Sequence, residues 1–181
     1  MLKKHPHTPA HLFLDHTPYF ITAAIYQKRM LLANPLLKNR LLSLLQGYFR
    51  RYQWDLHHWV ILDNHYHLLG KSNNGADMEA IFRNTHSKSA ELIRGLTNCE
   101  TPVWWNYWDY CPRTESEYMT RLNYLLNNPV KHGYVESLHD YPYSSFHSLV
   151  AGLGREALRE QFQAYSGYRT LVLHEVKEDD F

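Results

Sequence analysis

Apolar positions along the chain fall into two repeats, one of period two and one of period 3.6, and they alternate in blocks. "YFITAAIY", residues 19 to 26, is aromatic and β-branched between Pro18 and Gln27-Lys28-Arg29, which predicts a first strand. From Asn34 the pattern changes. Asn34 suits an N-cap and Pro35 the first helical position, and Leu36, Leu37, Leu41, Leu44, Leu45, Tyr48 and Phe49 follow at helical spacing. "DLHHWVILDNHYHLLGK" then predicts two strands, His57 to Leu62 and His65 to Lys71, around a turn at Asp63-Asn64. A second helix is expected from Asp77 as cap through Met78, Ile81, Phe82, Thr85, Lys88, Ser89, Leu92 and Ile93. "VWWNYWDYCPR" returns to extended character. A last helix opens with a capping box from Thr114 to Glu117, carries Tyr118, Leu122, Leu125 and Leu126, and is expected to end at Pro129 and Gly133. The order β-α-β-β-α-β-α gives an α+β chain whose first six elements suit a ferredoxin-like or RRM-like antiparallel sheet with helices on one face. Weak helical character recurs around "REALREQFQAY".

With 181 residues and 44% hydrophobic content, one domain with a real core plus tails is expected. The formal charge is only +1, but it is unevenly spread. No acid lies between Asp15 and Asp55, where Lys28, Arg29, Lys38, Arg40, Arg50 and Arg51 all fall, so either a solvated helix face or a polyanion-binding surface fits. Cys99 and Cys111 are too few for a disulfide framework, and no apolar run approaches the roughly 20 residues of a bilayer span. The N-terminal residues lack the apolar run of a signal peptide, so a cytoplasmic protein with no membrane association is expected.

Chemistry concentrates in two places. In a strand, His65 and His67 point to one side while Tyr66 and Leu68 point to the other, a geometry that suits two-point metal binding and equally a pair of satisfied histidines. Two ligands do not close a catalytic site. In "RLNYLLNNPVKHG", Tyr124 and Asn128 stand at i and i+4 on one helix face, where Tyr124 also suits plain core packing and Asn127-Asn128-Pro129 a helix stop.

Taken together, "ILDNHYHLLG" and "YLLNNPVKHGYV" followed by "DYPYSSFHS" resemble a known family. The first is similar to the HUH motif of single-tyrosine insertion-sequence transposases, with Tyr66 at the hydrophobic position. The second is similar to the catalytic-helix region of the REP-associated tyrosine transposases. The resemblance spans roughly residues 17 to 147 and implies an HUH endonuclease fold in that catalytic domain, with an irregular arm over 1–16 and a C-terminal extension with an acidic tail over 148–181. It implies that His65, His67 and Asn128 hold a divalent ion, Mg²⁺ or Mn²⁺, and that Tyr124 is the nucleophile. The implied partner is single-stranded hairpin DNA, cut through a 5′-phosphotyrosine and rejoined, and the implied location is the cytoplasm, at the nucleoid when DNA is bound. Lys28, Arg29, Arg50, Arg51, Lys71, Lys88, Arg113, Arg121 and Lys131 are expected phosphate contacts, and Trp108, with Trp104, Trp105 and Tyr107, either stacks on unpaired bases or packs in the core. A monomer is expected, because no separate dimerisation element is visible, with a dimer of the insertion-sequence kind as the alternative. The resemblance assigns no role to His5, His7, His11 and His16. The acids Glu175, Glu178, Asp179 and Asp180 suggest a tail that restrains the basic groove.

Two other readings stay open on the residues alone. A non-catalytic RRM-like nucleic-acid-binding module leaves both constellations unexplained. A metal phosphodiesterase that uses water needs no tyrosine.

Overall fold

Alternation in the first strand divides the core in two. The computed structural model describes residues 11–100 and 102–173. Strand β1 (Pro18–Ile25) sends Tyr19, Ile21, Ala23 and Ile25 to one face and Phe20, Thr22 and Ala24 to the other. Around it lie β2 (Asp55–Ile61), β3 (His65–Lys71) and β4 (Trp104–Tyr110), in the order β2-β3-β1-β4 with every pair antiparallel. That is the strand order of the ferredoxin-like arrangement expected from the sequence.

Helices α1 (Pro35–Arg51) and α2 (Met78–Thr97) cover the Tyr19 face with Leu37, Leu41, Leu45, Phe49, Ile81, Phe82 and Ile93. Helix α3 (Glu115–Lys131) covers the Phe20 face with Leu122, Tyr124, Leu125 and Leu126. Helices α4 (Phe146–Leu153) and α5 (Arg155–Ala164) extend this second core through Leu149, Val150, Leu158 and Phe162. The two apolar layers thus fix which strand residues α3 can touch.

Local chemistry explains most boundaries. Asn34 Oδ1 accepts from the Leu36 N–H at 2.9 Å and Pro35 opens α1. Thr114 Oγ1 accepts from the Glu117 N–H at 3.1 Å, while the Glu117 carboxylate reaches back one residue further than a capping box requires, to the Arg113 N–H at 2.9 Å. Asp77, expected to cap α2, makes no capping bond, because it already has helical backbone angles at the end of a short 3-10 turn. Its neighbour Asn74 caps that turn instead, accepting from the Ala76 N–H at 3.2 Å.

Pro129 does not end α3. It sits in the last turn, where the missing N–H removes one bond, and the helix continues to Lys131. The stop comes from Gly133 at φ +72°, with the Tyr134 N–H bonded to Pro129 O at 2.9 Å and the Gly133 N–H to Val130 O at 3.0 Å. This Schellman closure keeps Asn128 and Lys131 on ordered helix.

Lys38 also departs from its sequence reading as part of a basic surface. It is buried, with Nζ 2.5 Å from Asp63 Oδ1 and 4.7 Å from the Tyr143 ring centre. Residues 11–16 have no helix or strand but are tied down: the Tyr19 hydroxyl accepts from the Leu14 N–H and donates to Leu12 O, each at 2.7 Å, and Asp15 accepts from the Gly75 N–H at 2.8 Å. His11 stacks on Tyr107 at 4.3 Å and contacts Asp109. The acidic tail lies outside the described residues. Leu173, just before it, is buried, so a truncation that tests the tail has to retain it. Among the described residues no helix is long and apolar enough to cross a membrane, and Cys99 and Cys111 are free thiols.

The α2 side of the sheet holds a polar pair, Oη of the buried Tyr66 and Nε2 of the half-buried His86 at 2.8 Å. Burial lowers the His86 imidazole to about 3, so it stays neutral in the fold while the unfolded side chain takes a proton below its ordinary value of 6.5. Stability from this group is present above pH 6.5 and is lost as pH falls toward 3, at about 1 kcal/mol per unit. His86→Gln, which still accepts from Tyr66, is expected to flatten the acid side of a melting-temperature profile between pH 7 and 4. An unchanged slope would show that His86 titrates alike in both states.

Candidate active site on the Phe20 face

The register of β1 on β3 places Thr22 opposite His67 and Ala24 opposite His65. Both imidazoles therefore point to the α3 side, with Tyr66 and Leu68 in the opposite core, as the strand alternation predicts. Their ring centres are 5.0 Å apart and both rings are buried. Helix α3 crosses directly over them. Asn128, fully buried, sets Oδ1 3.1 Å from His65 Nε2, and the Tyr124 ring lies 5.5 Å from His67 and 6.2 Å from Phe20, edge-on to both.

Each histidine is oriented through its other nitrogen. His65 Nδ1 lies 2.7 Å from Asn64 Oδ1, and His67 Nδ1 lies 2.8 Å from Thr22 Oγ1. Asn64 Oδ1 can only accept, so His65 Nδ1 carries the proton and Nε2 presents a lone pair. Burial, then the charges of His132, Lys131 and Lys28, push His65 down to about 3, while burial and His65 hold His67 well below its ordinary range. Both rings are therefore neutral, the form a metal ion binds.

The His65 lone pair thus faces the amide oxygen of Asn128, an acceptor against an acceptor. Two such groups 3.1 Å apart repel unless something positive lies between them, and adjacent ligands of one ion at about 2.1 Å stand about 3 Å apart. Asn128 Nδ2 is buried with no hydrogen-bond partner among the described residues, so in this orientation the amide engages its surroundings through Oδ1 alone. His65, His67 and Asn128 fit a divalent ion on these grounds. Among the described residues no cluster of three His, Cys, Asp or Glu offers an alternative.

Lys131 completes the arrangement, with Nζ donating to the Tyr124 hydroxyl at 2.9 Å. Sequence reasoning named it only as a phosphate contact. Thr22 and Asn64 were missed, since a β-branched strand residue and a turn asparagine carry no mark of the histidine each will face. Of the other expected contacts, Lys28 is near enough for its charge to act on His65, Trp108 pairs with Thr22 in the sheet, and the Arg121 guanidinium lies 3.3 Å from the Tyr110 ring centre one turn before Tyr124. Arg29 is turned to the backbone, its guanidinium bonding the carbonyls of Tyr26, Glu100 and Pro102. Arg50 and Arg51 close α1, and Lys88, 3.4 Å from Glu91, lies on α2, both helices being across the sheet from the histidines. Lys71 ends β3 six residues from His65, and Arg113 precedes the far end of α3. Trp104 and Tyr107 pack in the α2-side core.

The family described as "Transposase IS200 like" matches residues 15–113, more than half of the chain and all four strands with His65 and His67. The chain belongs to this family. As an IS200-like transposase it is also similar to the REP-associated tyrosine transposase of Escherichia coli (strain K12), at 31% identity over 98 residues, 54% of this chain and 58% of that protein. It thus spans less than two thirds of that relative. A solved structure of a REP-associated tyrosine transposase bound to a REP hairpin matches with TM-score 0.66 and 25% identity, covering 79% of this chain and 84% of the other. The family match stops before Tyr124, which enters through α3 geometry.

Proposed function

We propose that this IS200-like transposase cuts and rejoins single-stranded DNA folded into palindromic hairpins, with Tyr124 as the nucleophile. The observation that carries the reading is the position of Tyr124 and Asn128 on one face of α3 against the paired histidines of β3. The likeness to a hairpin-bound transposase supports the substrate class.

Tyr124 Oη forms a bond to phosphorus while the bond from phosphorus to the 3′ oxygen breaks, and that oxygen leaves as a hydroxyl on taking a proton. A 5′-phosphotyrosine and a free 3′-hydroxyl result, and the reverse attack restores both the tyrosine and the strand, since one ester replaces another. Lys131 at the phenol oxygen stabilises the negative charge that develops as Tyr124 gives up its proton. The ring is clamped by Phe20 and His67, so Oη is aimed with little rotamer freedom. His65, His67 and Asn128 would hold the divalent ion, Mg²⁺ or Mn²⁺, which when bound neutralises charge on the scissile phosphate. Asn64 keeps His65 in the tautomer that such binding needs, and Thr22 holds the direction of the His67 ring.

The deciding experiment incubates the protein with end-labelled single-stranded hairpins from the gene's own flanks, with Mg²⁺ or Mn²⁺, on a denaturing gel. A covalent protein–DNA band is expected. Cleavage without the band assigns water as nucleophile, and binding without cleavage assigns a recognition module. Lys131→Met is expected to slow adduct formation about tenfold to a hundredfold while hairpin affinity changes far less. Equal losses in both would make Lys131 only a phosphate contact.

A further inference from the structure

Helix α3 carries three asparagines within six residues, and they face three different surroundings. Asn123 is buried and staples α5 to α3: its Nδ2 donates to Gln161 O and Tyr165 O, both at 3.2 Å, and its Oδ1 accepts from Gln161 Nε2 at 2.8 Å. Asn128 belongs to the site above. Asn127, half-buried between them, makes no hydrogen bond among the described residues and opens into a cavity of about 450 Å³ bounded by α3, α4, α5 and the 3-10 turns Leu138–Asp140 and Ser166–Arg169, the first adding Ser137 and His139 to the lining. That volume lies within the range of about 300–1,000 Å³ usual for small-ligand sites.

The lining has a definite chemistry. Phe146, Phe162 and Tyr168 supply aromatic faces and edges over a floor of Val150 and buried Leu158, with Phe162 and Tyr168 edge-on at 5.4 Å. Arg155 and Arg159, one turn apart on α5, stand exposed at the rim. Neither makes an ion pair among the described residues, and no carboxylate lines the cavity. Nothing in the active-site chemistry uses these groups.

We infer that this cavity receives one unpaired nucleotide of the DNA strand, its base among the aromatic rings, its edge read by Asn127 and its phosphate held by Arg155 and Arg159. Flat rings take a base by stacking, an amide offers both a donor and an acceptor to a base edge, and paired guanidiniums suit a phosphate. Asn127 follows Tyr124 by three residues on the same rigid helix, so a nucleotide anchored here sets the register in which the strand reaches the phenol. The inference rests on the single-strand DNA reading and adds a recognition subsite to it.

The test titrates ¹⁵N-labelled full-length protein with each of the four deoxynucleoside 5′-monophosphates, and separately with inorganic phosphate. At least one nucleotide is expected to shift the Asn127 side-chain amide and the Arg155 and Arg159 Nε signals, and Arg155→Ala/Arg159→Ala to weaken it about tenfold. Silence with all four, or phosphate alone reproducing the shifts at equal affinity, overturns the inference. An abasic scan along single-stranded hairpin DNA is expected to find one position that lowers affinity in the wild type and not in Asn127→Ala; a scan flat in both proteins also overturns it. Running the covalent-adduct gel alongside separates the two ideas. Nucleotide shifts without an adduct sink the transposition chemistry and leave the pocket standing, whereas an adduct with a silent pocket does the reverse.

Discussion

Tyr124→Phe is expected to abolish the covalent protein–DNA adduct, with cleavage falling at least about a thousandfold, while the melting temperature and hairpin affinity stay near wild type. The substitution removes one oxygen and leaves the ring contacts with Phe20 and His67 in place. Among the described residues the one hydrogen bond lost is to Lys131, which is exposed and regains water. Stability therefore changes little, and a large kinetic loss reports chemistry. If cleavage persists in the variant with no adduct in either protein, water is the nucleophile and Tyr124 is a packing residue. If an adduct persists, another side chain carries it.

Periodicity made much of this site legible. The two-residue spacing of His65 and His67 and the four-residue spacing of Tyr124 and Asn128 each place two groups on one face, because backbone geometry alone decides that. Their meeting was not readable in the same way. It depends on α3 packing on the Phe20 side of the sheet and on a register that sets Thr22 against His67, and both are products of the whole core. Charge misled in a related manner. Lys38, Arg29 and Lys88 look alike in sequence, yet one is buried on Asp63, one is bound to backbone carbonyls and one lies on the far layer. Pro129 reads as a stop because the sequence does not show that it occupies a last turn closed by Gly133.

His67→Ala is expected to weaken Mn²⁺ binding by more than about a hundredfold, measured by titration calorimetry or by the Mn²⁺ resonance signal, with adduct formation lost alongside. Thr22→Val, which keeps the ring but removes its hydrogen-bond partner at 2.8 Å, is expected to cost about tenfold to a hundredfold in the same measurement. The order of these effects matters more than either size. A ligand contributes its lone pair directly, whereas Thr22 contributes only the orientation of that lone pair, so the alanine variant must lose more. His67→Ala also opens a cavity between Phe20 and Tyr124 and costs about 2 kcal/mol of stability, so metal binding has to be read at a temperature where the variant stays folded. Tyr124→Phe serves as the internal control, because it should keep Mn²⁺ affinity while losing the adduct. Should His67→Ala bind Mn²⁺ as well as wild type, the buried imidazoles are packing groups, and the repulsion between His65 Nε2 and Asn128 Oδ1 is relieved by the amide turning Nδ2 toward the lone pair instead of by an ion.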